Sequence, residues 1–359
     1  MKKKFLKPLV MACSLSLLAF GGMFTWWNTD LFGEQNFCGG KIESSDIASV
    51  LDTRGRISQT ASQGGSADAP EFHCTIQRTS FLLGTDDMKV TLSTRTKKAD
   101  FQFQTRAWPD PAGMSFFTGG ATGAVSDTRG WIMLPESCWD RVGMLYRGNP
   151  SPGNAQSVTT VEAVLDQGEA GREELAGMLA RTAQRVADVA GCSGGGKAMA
   201  PGLRDAGTWT ETDPGHACGL AGFALPGSAF VSGKAEKGEE RTAGDSAETW
   251  ACDVRFSGSS ESQASFSVTS DADITKATLR QKDFRDLPNG TGRINPDSAV
   301  LKCGDTSVYF GMNWNDEYRD LNLDQGKDHY TENNRKLFQS FVDAAGKKHH
   351  CPDISVPRR

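Results

Sequence analysis

Eight of the nine cysteines, those beyond the apolar N-terminal run, set the tightest limit on what this chain can fold into. Cys38, Cys74, Cys138 and Cys192 are separated by 36, 64 and 54 residues, and Cys218, Cys252, Cys303 and Cys351 by 34, 51 and 48. In an oxidising compartment an even set of this kind predicts four disulfides. The repeated order predicts one four-cysteine unit used twice. Three pairings are open within each unit. First with second and third with fourth is favoured, because each bridge then staples a terminal element onto a sheet. Loops of these lengths stabilise by about 3 to 4 kcal/mol per bridge when only the entropy of the unfolded chain is counted.

Sequence around each cysteine supports the repeat. Cys38 and Cys218 each precede a glycine. Cys74 lies in Glu71–Arg78 and Cys252 in Glu248–Arg255, runs that read as strands with a β-branched residue at the next same-face position. Trp131–Cys138 and Ala299–Cys303 both end on the third cysteine, and Thr122-Gly123 and Thr291-Gly292 precede them. Glu173–Gly191 carries Leu175, Met178, Leu179, Val186 and Val189 on one helical face, with two acids in its first turn. Thr331–Gly346 carries Leu337, Phe338, Phe341, Val342 and Ala345 on a comparable stripe. Setting Gly191 on Gly346 matches Gln184 with Gln339, Asp188 with Asp343 and Ala190 with Ala345, so each helix is expected to end on a capping glycine.

Apolar and polar residues alternate over Met88–Arg95 and Gln263–Thr269, which adds strands to both units. The expected class is α+β: two tandem similar domains, each an antiparallel sheet with a C-terminal amphipathic helix. Domain 1 is read as residues 28–192 and domain 2 as residues 215–359. Residues 193–214, rich in Gly, Pro, Ser and Thr, read as a linker.

The first 27 residues differ from the rest. Residues 1–7 hold four lysines, and Pro8–Trp27 is an uncharged, mostly apolar run. Twenty helical residues span roughly 30 Å, the thickness of a bilayer core. Residues 8–27 therefore read as a transmembrane signal anchor, with residues 1–7 as a cytoplasmic tail and everything after Trp27 outside. Ala19-Phe20-Gly21 is an alternative, mediocre cleavage site, and Val10-Met11-Ala12-Cys13 a poor match to a lipobox. All three readings export the remainder to the cell envelope. That remainder is acidic, because the formal charge of −5 becomes −9 without the four lysines. No nucleic-acid partner is expected from such a surface.

Candidate chemistries each meet an obstacle. Gly191–Ala198, GCSGGGKA, nearly matches a phosphate-binding loop, but it leaves a helix instead of entering one, and Ala198 replaces the magnesium-binding hydroxyl. Asp320, Asn322, Asp324, Gly326 and Asp328 space oxygen ligands as a calcium loop does. Gln325 and Thr331, however, occupy the places of the required glycine and glutamate, and a half-exposed strand is expected there. His73-Cys74 and His349-His350-Cys351 suggest zinc, yet oxidised cysteines bind none. His216 and His329, like the other three histidines, lack a catalytic context. No catalytic, cofactor-binding or metal-ligating residue is therefore assigned, and no cofactor is expected. Trp131, Trp139, Trp209, Trp250 and Trp314 are expected in the core. Trp108-Pro109-Asp110-Pro111 is the exception, a loop that can offer an aromatic to a ligand.

Phe5-Leu-Lys-Pro-Leu, Phe24-Thr-Trp-Trp-Asn, Asp30-Leu-Phe-Gly and Phe37-Cys-Gly-Gly together resemble uncharacterised actinobacterial membrane-anchored exported proteins. The resemblance implies no activity. The functional expectation is a non-enzymatic, membrane-anchored protein that binds an envelope ligand or protein. An envelope hydrolase with a site dispersed through the sequence is the alternative.

Overall fold

The structure is a computed structural model. It describes residues 21–23, 25, 26, 28–30, 33–64, 66–80, 87–98, 110–142, 157–193, 201–230, 238–245, 249–256 and 263–358. Most of the expected anchor, residues 8–20, lies outside the described residues. Among the described residues no helix is long and apolar enough to cross a membrane.

A small ribbon of β1 (Asn36–Phe37) and β2 (Ile42–Glu43) precedes two eight-stranded antiparallel sheets. The first holds β3 (Arg56–Gln63), β4 (His73–Thr79), β5 (Met88–Lys98), β6 (Ser115–Thr118), β7 (Gly123–Val125), β8 (Arg129–Met133), β9 (Ser157–Gln167) and β10 (Gly202–Leu203). The second holds β11 (Thr210–Glu211), β12 (Glu239–Asp245), β13 (Thr249–Arg255), β14 (Gln263–Thr269), β15 (Arg285–Asp286), β16 (Gly292–Ile294), β17 (Ser298–Cys303) and β18 (Thr306–Trp314). In space the first runs β10-β6-β7-β8-β9-β5-β4-β3 and the second β11-β12-β13-β14-β18-β17-β16-β15. With β10 and β11 set aside, the two orders are the same: β3-β4-β5-β9-β8-β7-β6 corresponds to β12-β13-β14-β18-β17-β16-β15.

Four disulfides join Cys38 to Cys74, Cys138 to Cys192, Cys218 to Cys252 and Cys303 to Cys351. The first bridge of each sheet is built alike. Cys38 and Cys218 both take left-handed backbone, at φ 54° and 61°. Their N–H groups donate to Gln59 Oε1 at 2.7 Å and Glu240 Oε2 at 2.8 Å, acceptors on β3 and β12 that lie opposite Ile76 and Val254. Gly123 and Gly292 also correspond. A Cβ on either would meet a carbonyl of the neighbouring strand, Trp131 O at 2.5 Å or Val300 O at 2.1 Å.

Beyond the helical residues between 21 and 28, five helices among the described residues follow the same logic of one apolar face: α1 (Ser44–Val50), α2 (Arg172–Val189), α3 (Ala272–Leu279), α4 (Asp316–Leu323) and α5 (Lys327–Lys348). Gly191, at φ 63°, ends α2 as expected, and Cys192 N–H closes the cap on Ala187 O at 2.9 Å. Gly346 is not the cap of α5. The helix runs on to Lys348, His350 takes the left-handed place at φ 56°, and Cys351 N–H reaches Gly346 O at 2.9 Å. Gly346 instead faces Cys351, whose Cβ lies 3.7 Å from where its own would be. The two helices therefore correspond one turn later than a glycine-on-glycine match implies. Asp320, Asn322 and neighbouring Leu321 and Leu323 form helix, not strand: Asn315 caps α4 by accepting from Tyr318 N–H, and Asn322 is buried within it.

Alternate residues of each sheet face opposite ways, and this decides the layering. Phe117, Val125 and Ile132 join Leu175, Met178 and Leu179 of α2 in one core. Ala299, Leu301 and Phe310 join Leu337, Phe338 and Phe341 of α5 in another. The intervening residues Phe116, Ala124 and Trp131 pack directly against Ala243, Ala251, Val300 and Tyr309. The sheets thus stack face to face, with α2 and α5 on their outer faces and α3 placing Ile274 in the seam itself. The linker joins in: β10 pairs with β6, β11 pairs with β12, and Gly207 N–H donates to Ala112 O at 2.8 Å.

Candidate functional site

One polar part of the seam between the sheets lies on β12, β13 and β14. Asp253 follows Cys252 on β13 and points to the inner face, where its exposure is 0%. A carboxylate placed there needs partners, and register supplies them. Arg241 lies opposite on β12, and its Nε donates to Asp253 Oδ2 at 2.9 Å. Ser265 lies opposite on β14, and its Oγ donates to Asp253 Oδ1 at 2.7 Å. Burial pushes the Asp253 carboxyl up to about 6, outweighing the Arg241 charge and the Ser265 hydrogen bond, which pull it down.

The first half of the chain closes over this network. Gln263 Nε2 donates to Asp110 Oδ1 at 3.0 Å, and Arg241 Nη2 lies 3.8 Å from the same oxygen. Arg241 packs so closely on Gly113 that a Cβ there would fall 2.7 Å from Nη1. From the linker, Trp209 receives Arg241 and Arg255 over its ring, at 4.3 and 3.8 Å from the centroid. Beside the network a cleft of about 190 Å³ opens, walled by Asp110, Ser126, Asp127, Thr128, Arg129 and Arg241 among others. Its walls therefore carry two guanidinium groups, two carboxylates and two hydroxyls. Such a set can hold a small molecule bearing both charges or several hydroxyls. Arg172 steadies Asp127 from behind at 3.5 Å and donates to Ser115 Oγ at 3.0 Å.

At the other end of the seam lies a second cleft, of about 240 Å³, lined by Phe116, Phe117, Thr122, Trp131, Ser270 and Asp271 among others. Thr122 Oγ1 donates to Asp271 Oδ2 there. The remaining oxygen of Asp271 accepts from Asp273 N–H at 2.9 Å and Ile274 N–H at 3.0 Å, capping α3.

The residues singled out from sequence scatter. All eight cysteines among the described residues are bridged, so His73, His349 and His350 have no thiolate neighbour there to share with a metal. Asn322 donates to Tyr318 O at 2.8 Å and accepts from Asn333 at 2.8 Å, which removes it from any calcium loop. Among the described residues no group of three His, Cys, Asp or Glu side chains is placed to hold a metal ion. Gly191 and Cys192 of the glycine-rich stretch end α2, while residues 194–197 lie outside the described residues, as do Trp108 and Pro109. Asp110, from that same loop, does reach the site. Sequence reading misses Arg241 and Asp253. The only trace of them is that an aspartate follows Cys252 where a threonine follows Cys74.

Fold and seam together define a disulfide-rich protein of two large antiparallel sheets with few helices. No protein-family model, no curated protein and no solved structure matches the chain.

Proposed function

We propose that this chain is a non-enzymatic binding protein of the cell envelope, held in the membrane by residues 8–27. It consists of two domains, 28–192 and 215–359, that descend from one duplicated unit. The actinobacterial affiliation suggested by the N-terminal motifs belongs to the same proposal. Support for duplication comes from the shared strand order, the paired bridges and the matched cysteine caps on Gln59 and Glu240. Support for binding comes from one observation: the cleft at Arg129 and Arg241 takes its charged walls from both sheets, so a ligand there would touch both. The ligand class that suits it is a small zwitterionic or hydroxylated molecule. Asp253 lies beneath Arg241 and does not line the cleft, so its raised pKa gives no support to a hydrolase.

Native mass spectrometry of the purified chain after incubation with low-molecular-weight envelope extract tests this reading. A retained polar species is expected, reduced at least tenfold by Thr128→Phe, which fills the cleft, and unchanged by Lys302→Ala. Equal retention by Thr128→Phe, or no retained species on folded wild type, would refute it.

A further inference from the structure

The first described residues are helical, at 21–23, 25, 26 and 28, and they do not lead into a loose stalk. Three contacts fasten them to one end of the first sheet. The Arg56 guanidinium sits 4.1 Å over the Trp26 ring. Ser80 Oγ donates to Asn28 Oδ1 at 2.7 Å, and Ile57 N–H donates to Asp30 Oδ1 at 2.9 Å. Arg56 and Ile57 open β3, and Ser80 follows β4, whose Thr79 pairs with Arg56. All three contacts therefore fall on the same corner. Four large apolar side chains are exposed among the described residues, and two of them, Met23 at 59% and Trp26 at 45%, lie here.

From this we propose that the β3–β4 corner of the first sheet, with Arg54 and Arg56, docks on lipid phosphates of the outer leaflet. The inference rests on the anchor reading above. Residues 8–27 then fill the hydrocarbon core and Trp26 lies at its outer boundary, where amphipathic rings concentrate. Arg56, in van der Waals contact with that ring, is thereby fixed at headgroup depth. Its guanidinium reaches phosphate oxygens while its stem stays on apolar surface. Arg54 is exposed two residues earlier, in the turn before β3. The described residues 21–23, 25 and 26 belong to the apolar stretch of the sequence, and they lie at this corner. A bilayer is therefore the partner the corner fits.

The orientation of the whole molecule follows. Antiparallel register sets the starts of β3, β5 and β8 at one end of the first sheet. Asp110 with Gln263 at that end, and Thr122 with Asp271 at the other, hold the second sheet in the same sense. The Arg129–Arg241 cleft lies at the bilayer end, and the β17–β18 turn at Asp305 lies at the far end.

Photo-cross-linking of the full chain in phosphatidylglycerol–phosphatidylcholine vesicles tests the docking. A benzophenone amino acid replaces Arg54 in one variant and Asp305 in another, and lipid adducts are counted by mass spectrometry. At least tenfold more adduct is expected from position 54, falling several-fold when Arg56→Ala is added. Equal yields from both positions on a chain that floats with the vesicles would overturn the docking and leave the anchor standing. A chain that does not float would overturn the anchor reading and the docking with it.

Discussion

Thr75 and Asp253 occupy the same place in the two sheets, one residue after the second cysteine and facing the seam. Thr75 Oγ1 lies 3.2 Å from Thr91 Oγ1 on the adjacent strand, and Asp253 Oδ1 lies 2.7 Å from Ser265 Oγ on its own. The geometry is shared and the charge is not. Gln59 and Glu240, the side chains that accept from the first cysteines, repeat the pattern: the second sheet carries an acid where the first carries a neutral group. What differs is the cover. Residues 110–114 of the first half lie over Asp253, and its burial there requires Arg241 as a counter-charge. Thr91 donates outward to exposed Asp166 at 2.6 Å and requires none. Two sheets of the same strand order thus differ at a single row of residues, according to which of them the rest of the chain closes over.

The helices diverge in the same manner. Because Cys192 and Cys351 bond back to Ala187 and Gly346, Thr182 of α2 corresponds to Phe341 of α5. Phe341 is fully buried among the rings of Phe223, Trp250, Phe266 and Phe310, at centroid distances of 5.6, 6.4, 5.0 and 6.4 Å. Thr182 is equally buried, and its Oγ1 finds no hydrogen-bond partner among the described residues. The first core is mostly aliphatic, with the rings of Phe37, Phe72 and Phe117, and the second is much richer in rings. Phe341→Ala is expected to cost about 4 kcal/mol through the cavity it opens. Thr182→Val is expected to gain about 1 kcal/mol by removing an unpaired hydroxyl. Urea titration of each variant measures both, and a stabilised Phe341→Ala or a destabilised Thr182→Val would break the correspondence.

Removing the charge at Asp253 comes next in size. Asp253→Asn takes away the carboxylate that accepts from Arg241 Nε and leaves Arg241 the more distant Asp110 at 3.8 Å, and is expected to cost about 2 kcal/mol, whereas Thr75→Val in the first sheet costs under about 1 kcal/mol. The pH dependence has a definite sign. Folding raises the Asp253 pKa from 3.8 to about 6, so between those values the folded state holds a proton that the unfolded state has lost. That contribution is complete below pH 3.8 and gone above about pH 6. Burial also raises Glu240, in the same direction. Hydrogen-exchange protection of β13 amides, corrected for intrinsic rates, should therefore fall relative to β4 as pH rises through that window. A constant ratio would remove the claimed asymmetry.

The smallest effect concerns the helix ends. Gly191 takes φ 63° freely, while His350 takes φ 56° with a side chain. His350→Gly should stabilise by about 1 kcal/mol and Gly191→Ala destabilise by a similar amount. Thermal melts of the two variants shifting in the same direction would show that the caps are not equivalent.

Much of the scaffold is legible in the residues. Strand alternation marks β5 and β14, the cysteines mark β4 and β13, and the apolar stripes mark α2 and α5. The errors have local causes. Gly346 looks like a cap because glycine is common there, but it serves close packing against Cys351. Asp320–Asp324 alternates like a strand, but Asn315 caps a helix over the same residues. The site itself left little trace. Nothing near Arg241 in the sequence indicates that Asp110 and Gln263, 153 positions apart, will meet beside it.

Sequence by itself determined the cysteine framework, the two matched sets of strands and the apolar face of each terminal helix, because these depend on side-chain periodicity within a few residues. Tertiary structure alone decided that the sheets stack on their second faces, that the linker pairs with both, and that Asp253 is sealed under the other half of the chain. Periodicity records which residues share a face. What covers that face is a property of distant chain, and the cover decides whether a carboxylate stays solvated or must find its arginine.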